Sequence, residues 1–202
     1  MTDPLTHRLN QVLPKLTSDD FLNARGIGNE IAFYIFDYAP RDELRIREHI
    51  RFLVDHLPMN RPELRVTHVN LFDFLIHYLR ERNLLEKSFL LQRENGDDAL
   101  LKALKGILHE EKIAQRFAAI AKPAEHDMVL VSGVGSAYPL LRSHTLLSNL
   151  HAIMGQTPLV MFYPGRYDTQ TLRLFGKTGL TGGSAEERKK RTNYYRAFRL
   201  ID

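Results

Sequence analysis

The sequence predicts an α/β fold, a single open and mainly parallel sheet of about five strands with helices on both faces. Three observations predict it. Short apolar runs rich in β-branched and aromatic residues recur at 31–38, 64–69, 128–131, 158–163 and 194–201. Stretches with apolar residues at helical spacing separate most of these runs. The run at 128–131, MVLV, has no polar residue, as a strand buried on both faces reads, and it passes through Ser132-Gly133 towards another helical stretch. Right-handed crossovers between such units bring the carboxyl ends of the strands to one edge, where open α/β sheets bind their ligands.

Residues 4–24 read as one or two helices, with Leu9, Val12, Leu13 and Leu16 on one face and Thr17-Ser18-Asp19-Asp20 able to cap a second helix carrying Phe21 and Leu22. Arg25-Gly26-Ile27-Gly28 then breaks the helix. A nucleotide fingerprint follows a strand, whereas this G-x-G precedes one, so it is read as a turn. The run IAFYIFDY at 31–38 is the first strong strand. Pro40 ends it and starts a helix over 41–57 that buries Leu44, Ile46, Ile50, Leu53, Val54 and Leu57, closed by Pro58 and Pro62. The second strand is LRVTHV at 64–69. Asn70 is placed to cap the next helix, with Leu71, Phe72, Leu75, Ile76 and Leu79 inside. A polar break at 93–98 leads to a long helix over about 99–121 with Leu101, Leu104, Leu108, Ala114, Phe117 and Ile120 at near-helical spacing.

After the central strand, Gly133 and Gly135 permit a turn with φ > 0. A helix follows Pro139, with Leu140, Leu141, Leu146, Leu147, Leu150 and Ile153 on one face. The run PLVMFY at 158–163 is a fourth strand that Pro164-Gly165 stops, and residues 168–175 read as one or two helical turns around Leu172, Leu174 and Phe175. Residues 177–191 read as a mobile basic loop. YYRAFRLI at 194–201 is a fifth strand with Arg196 and Arg199 outward.

The 202 residues suit one domain, and a hydrophobic fraction of 44% is enough for a core. The absence of cysteine excludes thiol chemistry, disulfides and Cys-based zinc sites, and suits a reducing cytoplasm. Neither a signal peptide nor a membrane span is expected. The net charge of +4 is small, but from 166 to 202 nine Lys/Arg face four Asp/Glu, a local +5.

The layout is like that of a P-loop NTPase without the P-loop. No G-x-x-x-x-G-K-[ST] occurs, and the loop after the first strand, Ala39-Pro40-Arg41-Asp42, has no glycine. Ser132 stands at the end of the central strand, where a magnesium-binding Asp would be wanted. Asp37, Asp73 and His144 could approach one another, but no ligand spacing supports a metal and none is expected. Ser132, Ser136 and Ser143 lie near His144, yet S-G-V-G-S does not match the G-x-S-x-G elbow. No catalytic residue and no cofactor is therefore assigned, and the expectation is a protein that is not an enzyme. The edge residues Ser132, Gly133, Gly135, Arg142, Tyr163 and Arg166 suit a protein partner or an anion, since arginine forks onto carboxylate or phosphate. Pairing of these arginines with a carboxylate such as Asp168 is the plainer alternative. The strand–glycine–helix passage also leaves open a degenerate nucleotide-binding protein without hydrolysis. Arg188-Lys189-Lys190-Arg191, close to Tyr194 and Tyr195, could touch nucleic acid.

The segments GIGNEIAFYIFDYAP, VNLFDFL, VLVSGVGSAYPLLRSHTLLSNL, LVMFYPGRYD, LRLFG and NYYRAFRL resemble the BrxB family, a component of BREX phage-defence systems, from about residue 20 to the end. The resemblance implies a cytoplasmic bacterial protein working beside a DNA methyltransferase, a large ATPase and an alkaline-phosphatase-like protein, PglZ. It implies an accessory or scaffold subunit, with the PglZ-like component as first partner and the ATPase and methyltransferase after it; DNA contact is the weaker expectation and comes from the basic segment 188–191, not from the resemblance. It carries over no catalytic residue.

Overall fold

A computed structural model of the protein describes residues 3–23, 33–169, 171–176 and 197–201. The aromatic run Phe33–Tyr38 forms β1. It lies between β4 (Leu159–Tyr167) and β6 (Ala197–Arg199), parallel to both. On the other side, β3 (Met128–Ser132) pairs parallel with β4 and with β2 (Val66–Asn70). The order is β2-β3-β4-β1-β6, and β5 (Leu172–Leu174) folds back antiparallel on the outer part of β4. The α/β class and the mainly parallel open sheet are as the sequence predicts.

Side chains alternate along each strand and divide the core in two. Helices α1 (Pro4–Thr17), α2 (Asp19–Asn23) and α3 (Glu43–Asn60) cover one face. They pack on Phe36, Met128, Leu130, Val160 and Phe162. The other face, with Ile35, Val129, Val131, Leu159 and Met161, lies under α4 (Leu71–Glu81), α5 (Leu85–Leu104), α6 (Glu110–Ala121), α7 (Val134–Ala137) and α8 (Ser143–Met154). Every residue of β3 is buried, as its unbroken apolar run requires.

Several boundaries differ from the sequence reading. Pro40 opens a single 3-10 turn before α3, and α3 accommodates Pro58 in its last turn and continues to Asn60. Proline near a helix end removes a single backbone bond, so it closes the helix late. Leu44 is 71% exposed and Val54 41%, because the buried stripe of α3 follows Ile46, Ile50, Leu53 and Leu57. Phe72, in the first turn of α4, is also part-exposed. The long helix of 99–121 is divided. Gly96, at φ 82°, kinks α5, and the turn at 105–109 separates α5 from α6 while sinking Leu108 into the core. Pro164-Gly165 does not stop β4. Pro164 pairs with Tyr38 at the end of β1, where its missing N–H costs no ladder bond, and its carbonyl accepts from the Phe175 N–H. Residues 172–174 form β5, not helical turns. The turn at 25–28 and the loop at 177–191 lie outside the described residues, as do residues 194–196 of the fifth strand.

Candidate functional site at the carboxyl end of the sheet

The chain leaves β2 at Asn70, whose side-chain Oδ1 accepts from the N–H groups of Phe72 (3.0 Å) and Asp73 (3.4 Å) and so caps α4, as its position before the apolar stretch predicts. Beside it the chain leaves β3 through Ser132 and Gly133. Gly133 sits at φ 71°, and a Cβ there would stand 2.1 Å from Asn70 Oδ1. The glycine lets two strand exits touch. Replacing Asn70 by Ala removes the cap, and the expected cost is about 1 kcal/mol, read as a lower denaturant midpoint at unchanged slope. Gly135 serves the same closeness one turn on, since a Cβ would lie 3.0 Å from Pro164 and 3.1 Å from the Phe175 ring. Both glycines are packing positions in this loop.

The β4 exit is a hairpin. Gly165 faces Leu174, and a Cβ on Gly165 would meet the Arg173 carbonyl at 2.2 Å. Arg166 stands opposite Arg173 on the same face. Asp168 neutralises Arg173, at 3.0 Å, and holds Thr171. Arg166 is exposed and has no ion-pair partner among the described residues, so the pairing of Arg166 with Asp168 envisaged from sequence is taken by Arg173. Arg142, the residue before α8 and not one turn inside it, is likewise exposed and unpaired among the described residues. On either side of these arginines in sequence, Tyr138 and Phe175 form an edge-to-face pair, centroids 6.1 Å apart, with both rings over a third exposed. Tyr163, by contrast, is 1% exposed. Burial raises its phenol pKa, with a hydrogen bond to Ser143 acting the other way. A strand residue before the sheet edge faces the core, so Tyr163 belongs to the packing and not to the surface.

Asp37, at the end of β1, is occupied structurally. Arg8 of α1 donates to its carboxylate (2.9 Å) and to its carbonyl (2.7 Å), while the Tyr167 N–H donates to the other oxygen (3.0 Å). The side chain of His144 lies outside the described residues. Among the described residues no three His, Asp or Glu side chains gather as a metal site would need.

A groove of about 960 Å³ lies at the carboxyl-terminal part of β2, over His68, Val69 and Asn70, walled by α3 on one side and α4 and α6 on the other, with Ser132 also in its lining. Inside it His68 Nε2 lies 2.8 Å from Ser132 Oγ. Burial lowers the pKa of His68, and the charge of Asp73 opposes the shift. A serine on a neutral imidazole resembles a nucleophile with its base. Among the described residues, however, no carboxylate is bonded to the ring, and Ser132 is 6% exposed. The pair satisfies a buried hydroxyl. Arg47 reaches across from α3 to Ser136 Oγ (3.2 Å) and joins the groove to the glycine loop. Sequence reasoning gave no functional role to His68, Arg47, Tyr138 or Phe175. Arg188, Lys189, Lys190 and Arg191 lie outside the described residues.

Among known proteins, the family model described as "BREX protein BrxB" matches residues 67–200. A "BREX protein BrxB" of Bacillus cereus (strain H3081.97) is 38% identical over 202 residues, covering 98% of each chain. Another of the same description, from Escherichia coli O9:H4 (strain HS), is 40% identical over 202 residues, covering 100% of this chain and 94% of the relative. No solved structure matches.

Proposed function

The chain belongs to the BrxB family of BREX proteins, and from that premise we propose that it serves phage defence as a non-catalytic adaptor, docking on the PglZ-like component of its system in the bacterial cytoplasm. One observation carries the reading. At the carboxyl end of the sheet two exposed aromatic rings, Tyr138 and Phe175, share an edge with two exposed arginines, Arg142 and Arg166, that lack ion-pair partners among the described residues. Tyrosine and arginine are the side chains that most often dominate protein interfaces, because each joins a large apolar body to a directional polar end. The glycine loop beneath them is filled by Asn70, Pro164 and Phe175, which makes it a firm base for such a surface. Among the described residues no helix is long and apolar enough to cross a membrane.

The test is a pull-down of the purified PglZ-like protein by the chain and by its Arg142→Ala/Arg166→Ala double variant, with a thermal melt of each. The expected result is at least ~10-fold weaker retention, about 1.4 kcal/mol of binding, at an unchanged melting temperature. Full retention by the double variant removes these arginines from the docking surface.

A further inference from the structure

We infer that the outer edge of β2 takes up an extended segment of a protein partner as an added strand. The inference rests on the adaptor reading only for the choice of partner. β2 is the terminal strand of the sheet, and among the described residues nothing pairs with its outer side. The Arg65 carbonyl turns inward to the Asp127 N–H, so by alternation Thr67 and Val69 also face β3. The N–H and C=O groups of Val66 and His68, and the N–H of Asn70, then point away from β3, those of His68 and Asn70 at the groove. Such a row of open donors and acceptors is complementary to one class of occupant, another extended backbone.

The groove walls specify its side chains. Val54 on α3 and Ile120 on α6 stand on opposite walls, 41% and 43% exposed, and offer an apolar side chain a place between them. Arg47 touches Ser136 at the carboxyl end of the sheet, so α3 descends from that end through Arg51 and then Asp55. Both line the groove, and neither has an ion-pair partner among the described residues. The fitting segment therefore carries a carboxylate at the level of Arg51 and a basic residue at the level of Asp55, around an apolar anchor. The imidazole of His68 is bonded to Ser132 and takes no part, which leaves the backbone of β2 as the docking element.

The experiment titrates the full chain, with its backbone amides followed by NMR, with overlapping synthetic peptides of about 15 residues spanning the PglZ-like component. The expected result is a peptide that shifts the amides of Val66, His68 and Asn70. Its affinity should fall at least ~10-fold in Val66→Pro, which deletes one outward N–H, and in Val54→Glu, which charges the exposed wall. If Val66→Pro unfolds the sheet, Val54→Glu carries the test, since that side chain is part-exposed on a helix surface. The inference is overturned if no peptide moves those amides, or if binding survives Val54→Glu. Binding of the whole partner without any peptide on β2 overturns this inference and leaves the adaptor reading intact. A peptide on β2 together with full partner retention by the arginine double variant supports the strand and refutes the arginine surface.

Discussion

Replacing Val129 by Asp abolishes soluble folding. Val129 lies in β3, inside the sheet between β2 and β4, in register with Thr67 and Leu159, and is fully buried. Its side chain faces the layer of Val131, Leu159 and Met161 beneath α4 to α8. A carboxylate there finds apolar neighbours, and an uncompensated buried charge costs several kcal/mol. A domain holds only about 5–15 kcal/mol in total, so the substitution removes most of the stability or all of it. Soluble yield and a calorimetric melt read the result. A normal yield with a cooperative melt would show that β3 is not in the core.

Replacing Gly133 by Ala has the next largest effect, a loss of about 2–4 kcal/mol. Two causes add. An alanine at φ 71° is strained by about 1–3 kcal/mol. Its Cβ also displaces Asn70 Oδ1, which stands 2.1 Å away and caps α4, and the loss of such a cap costs about 1 kcal/mol. A double-mutant cycle separates them. In an Asn70→Ala background the cap is already gone, so Gly133→Ala should cost about 1 kcal/mol less than in the native chain. Equal costs in both backgrounds would mean that the two strand exits do not touch.

The legible parts of the fold were those where one local signal dominates. The unbroken apolar run of β3 and the Asn70 cap needed no tertiary context. The elements misread were those where tertiary contact overrides local chemistry. Pro164-Gly165 has the composition of a stop, yet Pro164 pairs with β1 and Gly165 admits the Arg173 backbone. The run at 172–174 is too short to show a period, and β4 alone makes it a strand. The candidate site was half legible. Arg166 follows directly from a strand end, Arg142 stands before α8 and not inside the helix expected from sequence, and the burial of Tyr163 depends on what covers β4. The groove was hidden for a topological reason. Which strand is terminal follows from strand order, and periodicity is silent on order, so neither His68 nor the arginines of α3 could be assigned to one site.

The central claim, docking through the carboxyl end of the sheet, is tested most directly by amide hydrogen exchange of the full chain with and without a saturating amount of the PglZ-like component. The account predicts slower exchange over 134–142 and 164–176, the segments that carry Tyr138, Arg142, Arg166 and Phe175, with α1 and α2 unchanged. Exchange identical in the two samples, or protection confined to α1 and α2, would contradict it.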